Sequence, residues 1–548
     1  MREEAFSWRT RERILSDLES KYDLIVIGGG ITGCGVSLET ARRGFRVLLL
    51  EKGDIGSGTS SRSSRLIHGG LRYLKYGRLK LVREAGRERR RLRALYPYLV
   101  RPLRFVIPFY EGEGEGSLVT LFGLWLYDLL SGVRKTRRHR RLHREEVLAE
   151  EPRMRSEGLK GGALYYDCCT DDFRLVLLNA KMAHRAGVHI LTYARVESII
   201  LEESRVTGVR FRDQLNGGTY EVRGRLLLNA AGPWSDQIRL MVPSGRERLR
   251  PTKGAHVLVP RSRVGNRNAV VMRSPRDGRV LFALPWHRFT IVGTTDTDFP
   301  GDPDGVRAGA DDVEYLLEAV NHTFPRAALA PEDVVSSFAA LRPLLREYGV
   351  SESEVSREYR IVEDARGLIS VVGGKLTTYR RVSEKVASRI ARILGHQARS
   401  SQTPSEASLA MTMAELEAMR PEVLEDLSTR GLDVEVADHL IAAYGPECGQ
   451  LLDYIDEEVL RRRMVPELPY ILAEVGYSVN HEMALRLEDV LARRTKVIYE
   501  DTEHGLGVAE EVAALMSRSL GWSEERAKQE LRDYERVVAS SEAFRKGG

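Results

Sequence analysis

The residues best suited to do chemistry are concentrated between Tyr22 and Leu74. An apolar run, Leu24-Ile25-Val26-Ile27, feeds into Gly28-Gly29-Gly30-Ile31-Thr32-Gly33, a helical segment reaches Arg43-Gly44, and a second run, Arg46 to Leu50, ends on Glu51. Strand, glycine turn, helix, strand and acid in this order are what a dinucleotide site requires. Gly28 allows a tight turn, Gly30 allows the backbone to approach a pyrophosphate, and Gly33 allows the helix to pack on the strand. The helix N-terminus adds amide donors and a partial positive charge. Glu51 is placed to accept hydrogen bonds from a ribose diol and to repel a 2′-phosphate, which argues against NADP. The following segment, Gly58-Thr59-Ser60 through His68-Gly69-Gly70-Leu71-Arg72-Tyr73, is too rich in hydroxyls and glycine for a core strand. Its composition suits wrapping a cofactor's phosphates and carrying side chains toward a flavin ring.

The elements that must position these residues continue along the chain. Tyr165 to Leu175 reads as a strand running into a capped helix that ends near Gly187, and His189 to Tyr193 and Arg195 to Ile200 read as paired strands, with Val196 where an adenine can rest. Leu226 to Trp234 reads as a buried strand ending in a turn, Ala231-Gly232, that closes on the cofactor from the other side. Segments around His256, Leu281 and Ile291 alternate like an antiparallel sheet, a floor for a substrate pocket. Leu341-Arg342-Pro343, Arg357, and a second strand–glycine–helix unit, Ile369 to Tyr379, follow; in the last, the amides around Gly374, Lys375, Leu376 and Thr377 can face the cofactor.

Length and composition set the frame. A chain of 548 residues calls for two or three domains. The expected division is an N-terminal helical extension over 1–21, interleaved cofactor and substrate lobes over 22–395 (the substrate lobe mainly 90–165 and 245–350), a Ser/Gln/Pro-rich linker over 396–408, and a helical domain over 409–548. The fold class is α/β, a Rossmann-like lobe interleaved with an antiparallel-sheet lobe plus an all-α C-terminal domain. No apolar run approaches the ~20 residues that span a bilayer. The N-terminus lacks a secretory layout, so an intracellular location is expected. Cys34, Cys168, Cys169 and Cys448 show no metal-ligand spacing and read as reduced structural thiols; no metal is expected.

The net charge of +6 calls for an anionic partner or a bland explanation. Basic residues cluster in Arg87 to Arg93 and Arg134 to Arg144, but no nucleic-acid module accompanies them, so nucleic acid is not expected. Leu118 to Leu130, LVTLFGLWLYDLL, runs directly into VRKTRRHRR. An apolar face beside a cationic cluster suits the interface of an anionic membrane. A buried helix followed by a solvated basic loop explains the same pattern equally well.

Taken together, the glycine turn with Glu51, TSSRSSRLIHGGLRYL, NAAGPWSD, IVGTTDTDF, LRP and GGKLTTYR resemble the FAD-dependent glycerol-3-phosphate dehydrogenases of the aerobic, quinone-linked type. The match runs from about Tyr22 to Arg381, and the tail around Leu491 to Lys496 resembles that family's C-terminal domain. The resemblance implies oxidation of sn-glycerol 3-phosphate to dihydroxyacetone phosphate by hydride transfer to FAD, with electrons passed to quinone. With the apolar stretch and its basic neighbours, the expected location is cytoplasmic and peripheral on the inner face of the cell membrane, and a homodimer is a candidate assembly. It puts Arg72, Tyr73 and Arg357 in a phosphate clamp, and Arg342, His256 and Lys375 near the flavin and the reacting carbon, where cations favour alkoxide and reduced flavin. Cofactor contacts fall to Gly28, Gly30, Gly33 and Glu51, to Thr59, Ser60 and His68, to Val196, Ala231 and Gly232, and to Gly374 through Thr377.

Two questions stay open at this level. His256 is a candidate base for the hydroxyl proton, but Arg342 holding the alkoxide while water takes the proton serves as well. The nearest alternative functions are a soluble glycerol-3-phosphate oxidase using oxygen and an amine or amino-acid oxidase on the same fold. The amine oxidase does not explain so many cations, and a non-catalytic flavin-binding sensor or interaction protein does not explain a phosphate clamp.

Overall fold

Runs such as Leu24–Ile27, Val47–Leu50, Leu226–Leu228 and Leu368–Val372 are buried along their whole length, as strands covered on both faces of a parallel sheet must be. The computed structural model describes residues 4–18, 21–114, 116–132, 138–346, 359–395 and 409–546. In it these runs form the centre of an eight-stranded sheet. Six of its strands run in the order Arg360–Ala365, Leu368–Val372, Thr219–Asn229, Lys21–Ile27, Val47–Leu50 and His189–Leu191, and Arg205–Asp213, paired with Thr219–Asn229, carries Ala194–Glu202 as a branch. Successive side chains of Lys21–Ile27 alternate between two cores. Leu24 and Val26 face a helical layer that includes Ile31–Ala41, Asp172–Arg185 and Tyr379–Ile393, while Ile25 and Ile27 pack with Val196 and Phe211 on the other face.

One expected pairing is corrected here. The strand His189–Leu191 does not pair with Ala194–Glu202; it lies parallel to Val47–Leu50, and Ala194–Glu202 pairs antiparallel with Arg205–Asp213. Glu51 N–H bonds to Leu191 O and Ala194 N–H to Glu51 O, so the chain turns around the acid rather than folding back on itself as a hairpin.

Among the described residues the second sheet has ten strands and is antiparallel apart from the pairing of Ala269–Arg273 with Arg101–Tyr110. Its strands come from Leu66–Ile67, from the stretch Arg101 to Cys169, and from Leu249 to Leu345, so the chain passes from one sheet to the other and back. One face packs on the helix Ala310–Thr323 through Val257, Val259 and Val292. The opposite face meets the C-terminal helices through Leu258 and Ile291.

Beyond the stretch 396–408, which lies outside the described residues, the chain is helical: Met413–Thr429, Val434–Tyr444, Ala473–His481, Leu506–Leu520 and Glu524–Ser541. Asp433 and Ser523 cap two of these helices with their side chains. A buried ion network fastens this part to the first sheet. Asp54 accepts from Arg493 Nε at 2.6 Å and Arg494 Nη2 at 3.0 Å, and Asp489 accepts from Arg493 Nη2 and Tyr193 Oη, each at 2.5 Å. All four cysteines are free thiols.

Candidate active site

A long cleft opens at the carboxyl ends of the first sheet's parallel strands, where ligands of open α/β sheets bind. The glycine turn forms its floor. Gly28 sits at φ +109°, and a Cβ on Gly33 would lie 1.8 Å from Gly28 O, so the helix can pack this closely on the strand only with hydrogen at that position. Ile31 N–H donates to Ser60 Oγ at 3.1 Å, which draws the hydroxyl-rich segment over the turn. Thr59 Oγ1 donates to Leu341 O at 2.7 Å and joins that segment to the strand carrying Arg342.

Glu51 lies on the cleft wall with Val196, Ala231 and Gly232. Its carboxylate accepts from Gly29 N–H at 2.6 Å and Gly53 N–H at 2.8 Å. Desolvation raises its pKa against these two bonds. Gly374, Lys375 and Leu376 close the cleft from the other side, beyond Gly373 and Gly374 in the left-handed region. Gly33, His68 and Thr377 do not line the cleft. Gly33 supports the turn from behind, and Thr377 Oγ1 accepts from His68 N–H at 3.1 Å, which ties HGGLRY to GGKLTTYR.

Of the residues expected to act on a substrate, Tyr73 and Lys375 lie in the two segments that this tie joins. Lys375 Nζ lies 3.3 Å from the centre of the Tyr73 ring, in cation–π contact. Arg342 Nη1 pairs with Asp296 Oδ1 at 2.9 Å, and its Nη2 donates to Thr294 Oγ1 at 3.2 Å. Arg72 is the first residue of the short helix Arg72–Lys75, and Arg357 lies outside the described residues. His256 is 3% exposed, stacked on Phe338 with ring centres 4.8 Å apart, and its Nε2 is 2.8 Å from Ser64 Oγ. Its Nδ1 has no hydrogen-bond partner among the described residues. Burial, reinforced by Arg342 and Arg65, lowers its pKa to about 3, so it is a neutral imidazole at physiological pH.

Sequence reasoning missed three neighbours of these groups. Asp296 orients Arg342, Ser64 bonds His256, and Arg65 is a buried guanidinium stacked 4.1 Å over Trp286 with Nε and Nη1 unbonded among the described residues. All three lie inside motifs already conspicuous in the sequence, TSSRSSR and GTTDTD. Their position within those motifs was the only available signal.

A glycine cradle, an acid at the second strand end, hydroxyls over the turn and a second glycine turn opposite fit the pyrophosphate, ribose and ring of FAD. Residues 23–380 match the family of FAD dependent oxidoreductases, and residues 369–527 match the C-terminal domain of alpha-glycerophosphate oxidase. The protein is an FAD-dependent oxidoreductase. It is 35% identical over 527 residues to the aerobic glycerol-3-phosphate dehydrogenase of Staphylococcus haemolyticus, covering 94% of each chain. Identity to the enzyme of that name from Staphylococcus aureus is 33% over 548 residues, covering 98% of each. The structure of glycerol-3-phosphate dehydrogenase from Bacillus halodurans, complexed with FAD, superposes with a TM-score of 0.83 at 30% identity, covering 98% of this chain and 99% of that one. The chain belongs to the aerobic glycerol-3-phosphate dehydrogenase family. L-alpha-glycerophosphate oxidase from Mycoplasma pneumoniae, at TM-score 0.55 and 18% identity over 71% of this chain, shares the fold alone.

Proposed function

We propose that this enzyme oxidises sn-glycerol 3-phosphate to dihydroxyacetone phosphate and passes the electrons to a quinone while lying peripherally on the inner face of the cell membrane. The observation that carries the reading is the meeting of Lys375 with Tyr73 at 3.3 Å, at the edge of the FAD cleft and in motifs that also carry Arg72. The substrate is a small dianion with a secondary alcohol, so its site needs a phosphate clamp and a cation near the C2 oxygen. Arg72, Tyr73 and Arg357 are proposed for the clamp, since guanidinium forks match phosphate oxygens. Lys375 and Arg342 are proposed to stabilise alkoxide character at the C2 oxygen. FAD, when bound, supplies the two-electron acceptor.

The buried, neutral state of His256, whose Nε2 is engaged by Ser64 Oγ, supports the reading in which Arg342 holds the alkoxide and water removes the proton. A base poised for this step would titrate near the working pH. The limiting rate of flavin reduction is therefore expected to show no break near the ordinary imidazole value of about 6.5. A break there that vanishes in His256→Gln would return proton removal to His256. The same lowered pKa gives a stability term that is full above the unfolded value and is lost as pH falls from there toward about 3, because the unfolded chain takes up the proton first.

Membrane contact is read from the helix Ser117–Ser131. Leu124 and Tyr127 are buried on one face, while Leu118, Val119, Phe122, Trp125 and Leu129 stand exposed on the other. Among the described residues one side of the helix is core and the other is an exposed apolar strip, with Phe122 and Trp125 stacked at 5.8 Å. Among the described residues no helix is long and apolar enough to cross a membrane. An amphipathic helix beside basic residues such as Arg138, Arg140 and Arg141 suits an anionic interface. Replacing Phe122 and Trp125 together with Ser is expected to weaken partition to anionic vesicles by about 10²-fold or more, since each side chain buries roughly 1.5–3 kcal/mol of apolar surface. Vesicle co-sedimentation checks this. Retained binding would remove the helix from the membrane role.

An anaerobic titration with glycerol 3-phosphate tests the core of the reading. Bleaching of the flavin absorbance near stoichiometric substrate is the expected result, and reoxidation by quinone compared with oxygen then identifies the acceptor. A flavin that bleaches with amines or amino acids but not with glycerol 3-phosphate would sink the substrate assignment.

A further inference from the structure

We infer that Tyr127, fixed by Asp167 and Arg89, is a positioning residue for glycerol 3-phosphate that acts through the backbone of Gly69 to hold the turn presenting Arg72 and Tyr73. The inference rests on the reading of these two residues as part of the phosphate clamp. Tyr127 reaches inward from the helix Ser117–Ser131 and is completely buried. Its Oη accepts from Gly69 N–H at 2.8 Å and from Arg89 Nη1 at 3.2 Å, and it donates to the Asp167 carboxylate, whose oxygens lie at 2.7 and 2.8 Å. Arg89 is ion-paired with Asp167 and donates to Tyr166 O at 3.2 Å. The phenol thus has a partner for its proton and for its lone pairs. Burial and the neighbouring Asp167 charge hold the Tyr127 pKa well above that of an ordinary phenol, so the group stays a donor.

The contact leaves no slack at Gly69. A Cβ there would lie 2.5 Å from Tyr127 Oη, so glycine is required for the backbone to come this close. From this fixed point the chain reaches Tyr73 in four residues, with Tyr73 N–H bonded to Gly70 O at 2.9 Å and the helix Arg72–Lys75 beginning between them. The Tyr73 ring covers Gly70, where a Cβ would fall 2.3 Å from it, and is held in front by Lys375. The turn is therefore clamped from behind by Tyr127 and from the cleft side by Lys375. Tyr127 is not among the residues lining the FAD cleft; it meets the turn at Gly69, whose N–H also reaches Asp167 Oδ1 at 3.3 Å.

Tyr127→Phe removes only the hydroxyl, and with it both the acceptor for Gly69 and the donor to Asp167, and is the test. Loss of one buried hydrogen-bond partner is expected to raise the dissociation constant for glycerol 3-phosphate, read from anaerobic flavin bleaching, about tenfold. The inhibition constant for inorganic phosphate is expected to rise by a similar factor, while FAD content holds and the limiting reduction rate falls by less than about threefold. A lowered melting temperature with both constants unchanged would reduce Tyr127 to a core residue and overturn the inference. A fall in limiting rate with unchanged constants would do the same. If Tyr127→Phe does not retain FAD, Asp167→Asn serves instead; it keeps an acceptor oxygen but loses the ion pair with Arg89, and weaker binding of both anions is again expected, with unchanged constants overturning the inference. Failure of the unaltered enzyme to bleach with glycerol 3-phosphate would strike the substrate reading itself, and the inference with it. Bleaching of the unaltered enzyme with no shift in the variant strikes the inference alone.

Discussion

Replacing Arg342 with Met will slow flavin reduction by glycerol 3-phosphate by about 10²- to 10³-fold and leave FAD bound, the loss typical of removing one preorganised donor at a developing oxyanion. The expectation follows from how the side chain is held. Arg342 stands on the strand Ser336–Leu345, opposite Thr252 in the paired strand, and its guanidinium is fixed by Asp296, Thr294 and the Thr295 carbonyl. A guanidinium oriented before substrate arrives need not reorganise as charge develops on the C2 oxygen, whereas the Met side chain fills similar volume and provides no donor. Cofactor binding is expected to persist because the tie from this strand to the cofactor segment is Thr59 Oγ1 to Leu341 O, a backbone acceptor that the substitution does not touch. Single-turnover measurements at saturating substrate separate the rate from affinity. An unchanged limiting rate would remove Arg342 from the chemistry.

Asp54→Ala is the second large effect expected, on stability and cofactor retention. Asp54 is 1% exposed and is the shared partner of Arg493 and Arg494 from the C-terminal domain. Removing one member of a buried ion network leaves charge uncompensated, at a cost of about 3–5 kcal/mol. Asp489 still pairs with Arg493, but among the described residues Arg494 is left with the Glu482 carbonyl and the face of the Phe173 ring, neither of which carries a compensating charge. Asp54 follows Glu51 in the loop whose Lys52, Gly56, Ser57 and Gly58 line the FAD cleft, so loosening it is expected to release the cofactor. A lower denaturation midpoint together with substoichiometric flavin after purification is the expected pair of results. Wild-type values for both would show that the network is not what fastens the C-terminal helices to the cofactor loop.

Much of the cofactor half was legible from sequence because its determinants are local. Gly28, Gly30, Gly33 and Glu51 belong to one strand–helix–strand unit, and the steric and electrostatic demands of a pyrophosphate and a ribose act within that unit. The antiparallel second sheet was legible from alternation, and the helical tail from its apolar period. Strand pairing around His189 was not, because alternation identifies a strand without naming its neighbour. Only the turn around Glu51 sends His189–Leu191 to the parallel edge and Ala194–Glu202 to another partner.

Composition likewise marked Leu118 to Leu130 as apolar but could not say which side is covered. That depends on Tyr127 finding Gly69, Asp167 and Arg89, three groups from three separate elements, and leaving Phe122 and Trp125 outside. The sequence by itself determined the cofactor class and the family, and it named candidate residues for the site. Tertiary structure alone decided that Lys375 meets Tyr73, that His256 is buried and neutral beside Ser64, and that Asp296 orients Arg342. The reason is physical: a glycine turn carries its geometry in its own backbone, whereas a side chain's protonation and direction are set by whatever distant segments pack around it.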